Sequence, residues 1–312
     1  MDKTDYFDKM DALVNDKQTY EELKREPTPA LQRKLNSKLL TLKRRYWHST
    51  LLSTEVLSTT TTETLRTTQI TQTWPTDATY GVILWVPYVS TVQVLALTDK
   101  SRRKLQSTEN FIDAIKTEQI PDDYKPVSFV VKSLFTSIPL QLVLQCTETA
   151  IQQSTVKLPL PTEDTMDLLN LCLTSTYFQY NGKQNKELHG TAMGSPVSIV
   201  AAEIVMQHVE ESALGSVATC RQTILLWLRY VDNTFTAVHK DEDEIDDFHD
   251  HLNEQNADIQ FTKEIEENGK LPFLDCLVSR DNNELRTTVY RKPMHTDRLL
   301  DTQPDFTQSH DS

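Results

Sequence analysis

One carboxylate in this sequence stands where packing gives little reason for an Asp. In Tyr230-Val231-Asp232-Asn233 it lies between two β-prone runs, TILLWLRY and NTFTAVHK, so a hairpin hinged there would carry it at its tip. A tip carboxylate is well placed to hold a divalent cation, because hard cations want anionic oxygen. An ordinary Asp-Asn turn is the other reading, since both residues hydrogen-bond their own backbone in turns. Upstream, Gly190-Thr191-Ala192-Met193-Gly194-Ser195-Pro196 is a small-residue loop running into a helix, and its two Gly would let backbone approach a base pair or sugar closely. His189 and Lys186 beside it either touch a template or line an exposed hairpin. Arg291, Lys292 and Arg298 are candidates for phosphate contacts. His295 and Asp297 form an HxD pair, which without a third and fourth ligand reads as a polar surface pair. Cys146, Cys172, Cys220 and Cys276 are far apart with no CxxC pattern and read as reduced thiols.

The elements that must position these residues are helices and antiparallel strands. Residues 1–45 are highly charged and predict helices: Thr19 with Glu22 fits a capping box, and Thr28-Pro29 starts a helix carrying Leu31, Leu35, Leu39 and Leu42 at about the helical period. That helix ends in Lys43, Arg44, Arg45, Tyr46 and Trp47, which reads either as a grip on a nucleic-acid strand or as a capped, solvated helix end. Residues 48–98 are dominated by Thr and Ser and read as low complexity, with a strand-like stretch over 82–97. From 99 onward the pattern is that of a folded domain. SRRKLQSTENFIDAIKTEQ predicts a helix with Leu105, Phe111, Ile112 and Ile115 inward, VSFVVKSLF a buried strand, and LQLVLQCTETAIQQ and TEDTMDLLNLCLTSTYF two helices. Asn181-Gly182 and Asn268-Gly269 mark hairpins, since a type I′ turn needs positive φ at both central residues. SPVSIVAAEIVMQHVEESAL predicts a long helix, and DEDEIDDFHDHLNEQN an acidic one with Ile245, Phe248 and Leu252 as its core stripe. IQFTKEIE, LPFLDCLVSR and ELRTTVYRK complete the antiparallel material. Helices interleaved with antiparallel strands make the class α+β.

The 312 residues fit one large domain or two modest ones. Six Gly argue against a Rossmann or P-loop nucleotide site, both of which cluster Gly against phosphate. With 32 Lys plus Arg against 45 Asp plus Glu, the formal charge of -13 speaks against broad electrostatic binding of nucleic acid. Acids stand where a signal peptide has a basic region, and Pro87, Ser90, Thr91 and Gln93 interrupt the longest apolar stretch. The expectation is a soluble intracellular chain, cytoplasmic or nuclear, with no membrane partner.

Further segments line up with the tip and the Gly loop: Ser128-Phe129-Val130-Val131-Lys132-Ser133-Leu134-Phe135-Thr136-Ser137-Ile138-Pro139 upstream, and Leu271-Pro272-Phe273-Leu274-Asp275 and Thr288-Val289-Tyr290-Arg291-Lys292-Pro293 downstream. In this order, at this spacing, they resemble the reverse transcriptases of Penelope-like retroelements, closely over 100–301 and plausibly over 1–45. The resemblance implies a right-hand polymerase palm in an α+β fold, an RNA template and DNA primer as partners, and Mg²⁺-dependent nucleotidyl transfer. It assigns residues 1–47 to an N-terminal helical region, 48–98 to a Thr-rich replacement of part of the fingers, 99–290 to the palm with residual fingers helices, and 291–312 to a truncated thumb start and tail. Gly190, Met193, Gly194, Ser195 and Pro196, with Arg291 and Lys292, fall on template- and substrate-binding positions. Asp275 falls on a non-catalytic position and reads as a structural carboxylate. The endonuclease domain of many family members is not expected here.

The chain departs from the pattern where the family's chemistry is concentrated. Family members hold two metal ions with an Asp on the first palm strand and an Asp pair at the hairpin tip. Here Val130 and Asn233 stand at two of those positions, and Asp232 alone remains as catalytic acid and metal ligand. The resemblance therefore implies a degenerate, catalytically inactive copy, with a nucleic-acid- or protein-binding relic as the alternative. The abrupt change of composition over 48–98, between matching flanks, is what a reading-frame slip or a misjoined gene would produce.

Overall fold

The computed structural model describes residues 11–46 except 13 and 18, 97–98, 103–192 except 156, 157 and 159, 195–215, and 224–290 except 282. Most of the Thr-rich block, Met193, Gly194, Cys220, the 291–312 segment and the residues proposed there lie outside the described residues.

Tyr20–Leu23 is a strand, β1, and Thr28–Tyr46 a helix, α1. The helix starts as its Pro29 predicts, with the Pro27 carbonyl accepting from the Ala30 and Leu31 N–H groups. Leu35 and Leu42 are buried while Leu40, on another face, is exposed. The all-helical expectation for 1–45 is corrected at β1, which pairs antiparallel with Lys183–Glu187. Neither member of the supposed capping box caps a helix: Thr19 Oγ1 donates to the Asp16 carboxylate, and the Glu22 carboxylate accepts from Lys183 Nζ. The next helix is also shorter than its sequence suggests. It spans Thr108–Ile115 (α2), capped by Ser107 Oγ accepting from the Asn110 N–H. Leu105 lies outside it: 103–105 runs parallel to a strand containing Arg229, which donates its N–H to the Arg103 carbonyl and accepts from the Leu105 N–H, both at 2.7 Å.

The remaining elements follow the predicted order. They are β2 (Tyr124–Val131), α3 (Leu134–Ser137), α4 (Leu140–Gln153), α5 (Thr162–Leu173), β3 (Tyr177–Tyr180), β4 (Lys183–Glu187), α6 (Pro196–Gly215), β5 (Ile224–Tyr230), β6 (Asn233–His239), α7 (Glu242–Glu254), β7 (Phe261–Ile265), β8 (Lys270–Phe273), β9 (Cys276–Asp281) and β10 (Glu284–Val289). The strands assemble as an antiparallel four-stranded sheet, β5-β6-β2-β7, and two three-stranded sheets, β1-β4-β3 and β10-β9-β8. Both Asn-Gly pairs make their turns, with φ of 48° and 75° at Asn181-Gly182 and 51° and 71° at Asn268-Gly269.

Apolar side chains on both faces explain why the central strands read as apolar runs rather than clean alternations. On one face Val127, Phe129, Val131 and Trp227 meet Val200, Val205 and Met206 of α6 and Phe248 and Leu252 of α7. On the other, Phe111 of α2, Phe235 of β6 and Phe273 of β8 form a ring triangle with centroids 4.6 to 5.5 Å apart. A third, smaller cluster joins Leu35 and Leu42 of α1 to Leu168 and Leu171 of α5. No helix among the described residues is long and apolar enough to cross a membrane.

Candidate active site at the hairpin tip

Strands β5 and β6 pair up to Tyr230 opposite Asn233, leaving Val231 and Asp232 as a two-residue turn. Val231 has φ 55°, a left-handed conformation that is an outlier for a β-branched residue and costs about 1–3 kcal/mol. Such strain persists only where the surroundings over-determine it. Here the Asp232 carbonyl accepts from the Val131 N–H at 3.0 Å, clamping the turn to β2. In the β2–β6 register Val130 sits opposite Asn233, and in the β2–β7 register it sits opposite Thr262, whose hydroxyl donates to the Val130 carbonyl at 3.1 Å. Asp232, Asn233 and Val130 thus meet at one end of the central sheet, as their motifs predict.

These residues do not fit a two-metal centre. Val130 offers no lone pair. Asn233 Nδ2 donates to Asp232 Oδ1 at 2.7 Å, engaging the one carboxylate through a group that is itself a donor. Among the described residues no group of three or more His, Cys, Asp or Glu is placed to hold a metal ion. Two carboxylates side by side would repel, and a cation would screen them; an amide beside a carboxylate adds no charge and donates a hydrogen bond to it instead.

Beneath the tip lies a charge cluster that motif matching alone misses. Arg229, 3% exposed, donates from Nη1 and Nη2 to the two oxygens of Glu203 at 3.0 and 2.7 Å, and from Nε to Glu210 Oε1 at 2.7 Å. Its Nη1 also donates to the Val231 carbonyl at 3.2 Å. Trp227 Nε1 donates to the same Glu210 oxygen at 2.9 Å, and Lys104 Nζ stands 3.4 Å from Glu203. Burial opposes the charge on Arg229, but Glu210 and Glu203 outweigh it and hold its pKa above the ordinary value. Burial likewise pushes Glu203 up, and the hydrogen bonds and charge of Arg229, with Lys104, bring it net below the usual carboxylate range. At Glu210 burial wins over its partners and the pKa is raised. The signal was available in the sequence: an Arg inside the apolar strand ILLWLRY, and two Glu on one face of the apolar helix α6.

The start of the Gly loop is packed against α3. Gly190 has φ +83°, and an added Cβ would lie 2.7 Å from Thr136 Cα and 2.8 Å from the Phe135 and Thr136 carbonyl oxygens. The backbone that Gly190 admits is that of α3. Thr191, fully buried, completes the latch, donating its N–H at 2.6 Å and its hydroxyl at 3.1 Å to the Phe135 carbonyl. Ser195 and Pro196 open α6, with the Ser195 carbonyl accepting from the Ser198 N–H at 3.0 Å.

The chain is similar to solved telomerase structures. It matches apo telomerase from Candida tropicalis, truncated from its C-terminal domain, with a TM-score of 0.52 and 13% identity over 67% of this chain and 47% of that one. It matches telomerase from Candida albicans, in complex with a TWJ fragment of telomeric RNA, with a TM-score of 0.52 and 9% identity over 72% and 43%. The fold is a polymerase palm. The chain spans less than half the length of either telomerase chain, and identities this low carry the fold alone. No protein-family model matches the chain, and no curated protein does.

Around this palm the other candidates are dispersed. His189 is exposed, and Lys186 lies on β4 between Glu21 and Tyr177. Arg45 extends to the buried Asp164 in the first turn of α5, 3.0 Å away, so one of the basic residues ending α1 braces that helix against α5. Asp275 is exposed in the β8–β9 turn; its backbone carbonyl, accepting from the Tyr290 N–H at 2.8 Å, does the bracing expected of its carboxylate. Burial pushes the Cys146 thiol up to about 11, which suits an inert core thiol.

Proposed function

We propose that this chain is a palm of reverse-transcriptase descent, from a Penelope-like retroelement, that no longer transfers nucleotides and retains nucleic-acid binding as its residual role. The Asn233 amide donating to Asp232 opposite Val130 carries the reading of inactivity. Palm catalysis consists of metal positioning and charge stabilisation. A cluster of three carboxylates presents about -3 to two divalent cations, and this one about -1. The order and spacing of the motifs from Ser128 to Pro293 support the retroelement descent. The telomerase seen with telomeric RNA supports an RNA-binding palm, and the charge of -13 supports weak, salt-sensitive affinity.

Primer extension on an RNA template with Mg²⁺ or Mn²⁺ tests the first half. The unmodified chain is expected to give no product, and appreciable extension by it would overturn the reading. Titration of a labelled primer–template duplex at rising salt tests the second half. Binding that weakens with salt is expected, and no binding at the lowest salt would remove nucleic acid as the ligand.

A further inference from the structure

The hairpin tip keeps a strained conformation with Asp232 as its one acid, and beside the clamp from β2 a second restraint lies under the turn. Val231 at φ 55° has its carbonyl bonded by Arg229 Nη1, and that guanidinium is itself fixed by a two-oxygen pairing with Glu203 and by Glu210. Both Glu are on α6, so the turn is tied to the helix that follows the Gly loop. None of these bonds involves residue 130 or residue 233. A planar fork with this many fixed acceptors transmits orientation in a way that a point charge cannot.

We infer that Arg229, fixed by Glu203 and Glu210, is a positioning residue of the hairpin tip, holding the Val231 carbonyl from beneath and so the turn that carries Asp232, independently of the side chains at 130 and 233. This rests on the reading that the tip has lost its ligands and nothing else. Its consequence is that carboxylates returned to those two positions meet a tip already shaped to present them.

The test is Mn²⁺ binding to the full chain, read by electron paramagnetic resonance, so that no activity is needed. Val130→Asp with Asn233→Asp is expected to bind Mn²⁺ at least tenfold more tightly than the unmodified chain. Adding Arg229→Lys, which keeps the charge and loses the fork, should weaken that binding by about 10- to 100-fold, as loss of a residue that orients ligands does. A second variant in the same background, Arg229→Met with Glu203→Gln and Glu210→Gln, removes the buried Arg and both Glu together and leaves only the partly exposed Lys104 charged, so that folding is not burdened by a fully buried unpaired ion. It should lose Mn²⁺ binding while keeping a cooperative melt. Unchanged Mn²⁺ affinity in either variant would overturn the inference, as would a folded double revertant that binds no better than the parent. Primer extension by the unmodified chain would instead overturn the functional reading and leave Arg229 to be judged on the Mn²⁺ comparison.

Discussion

Among single residues, Gly190 and Gly182 separate two costs that are usually confounded. Both have positive φ, but an added Cβ at Gly182 meets nothing within 4 Å, whereas at Gly190 it meets three backbone atoms of α3 at under 3 Å. Gly182→Ala should therefore lose only the left-handed penalty, about 1–2 kcal/mol. Gly190→Ala should lose that and also unseat the loop from α3, giving a larger drop in urea midpoint at unchanged slope. Equal losses in the two variants would show that the latch at Thr191 gives way without resistance. Asp232 and Asn233 were legible as a tip from residue types alone. The bond between them was not, because two adjacent letters do not say which side chain turns toward the other.

Among elements, the sequence was clearest where period and turn chemistry are local. LQLVLQCTETAIQQ is α4 to the residue, the stripe of Ile245, Phe248 and Leu252 is the buried face of α7, and both Asn-Gly pairs are turns. It misled where the partner is remote. YEEL has no reason to be extended except that Lys183–Glu187 lies alongside it, and 103–105 leaves its expected helix because Arg229 offers it an edge. The tie between α6 and β5 has its own pH signature. Glu203 is held below the usual range, so its contribution is complete above the ordinary carboxylate pKa and is lost as pH falls through the lowered value. Glu203→Gln should flatten the acid limb of a melting-temperature profile below about pH 5 relative to the parent. Glu210 is raised by burial, so its contribution is present at low pH and is lost as pH climbs from the ordinary value through the raised one. Glu210→Gln should flatten the profile on that side. Acid limbs that run parallel in parent and Glu203→Gln would mean that the pairing with Arg229 does not favour the charged form.

At the scale of the molecule, the two large cores share the central sheet, while α1 is held by the small cluster with α5 and by the Arg45–Asp164 bridge. That difference predicts separable openings. Leu42→Ala removes a buried side chain, a loss of about 2–5 kcal/mol where the site cannot collapse. It should speed hydrogen exchange in α1 while leaving β2 and β6 protected. Exchange rising equally in all three would make the molecule one cooperative unit.

The clamps on either side of the Thr-rich block have an evolutionary consequence. Glu22 reaches Lys183 across 161 positions of chain, and α1 rests on α5, so residues 20–46 are fastened to segments made long after them. On the far side, Leu97 packs against the main core and Thr98 is buried. A connection whose two ends are secured separately can be lengthened or rewritten at little thermodynamic penalty, about 0.6 kcal/mol for each doubling in length. A change of sequence between those ends is therefore one that this architecture can absorb, so the fold can persist while the segment between them is rewritten.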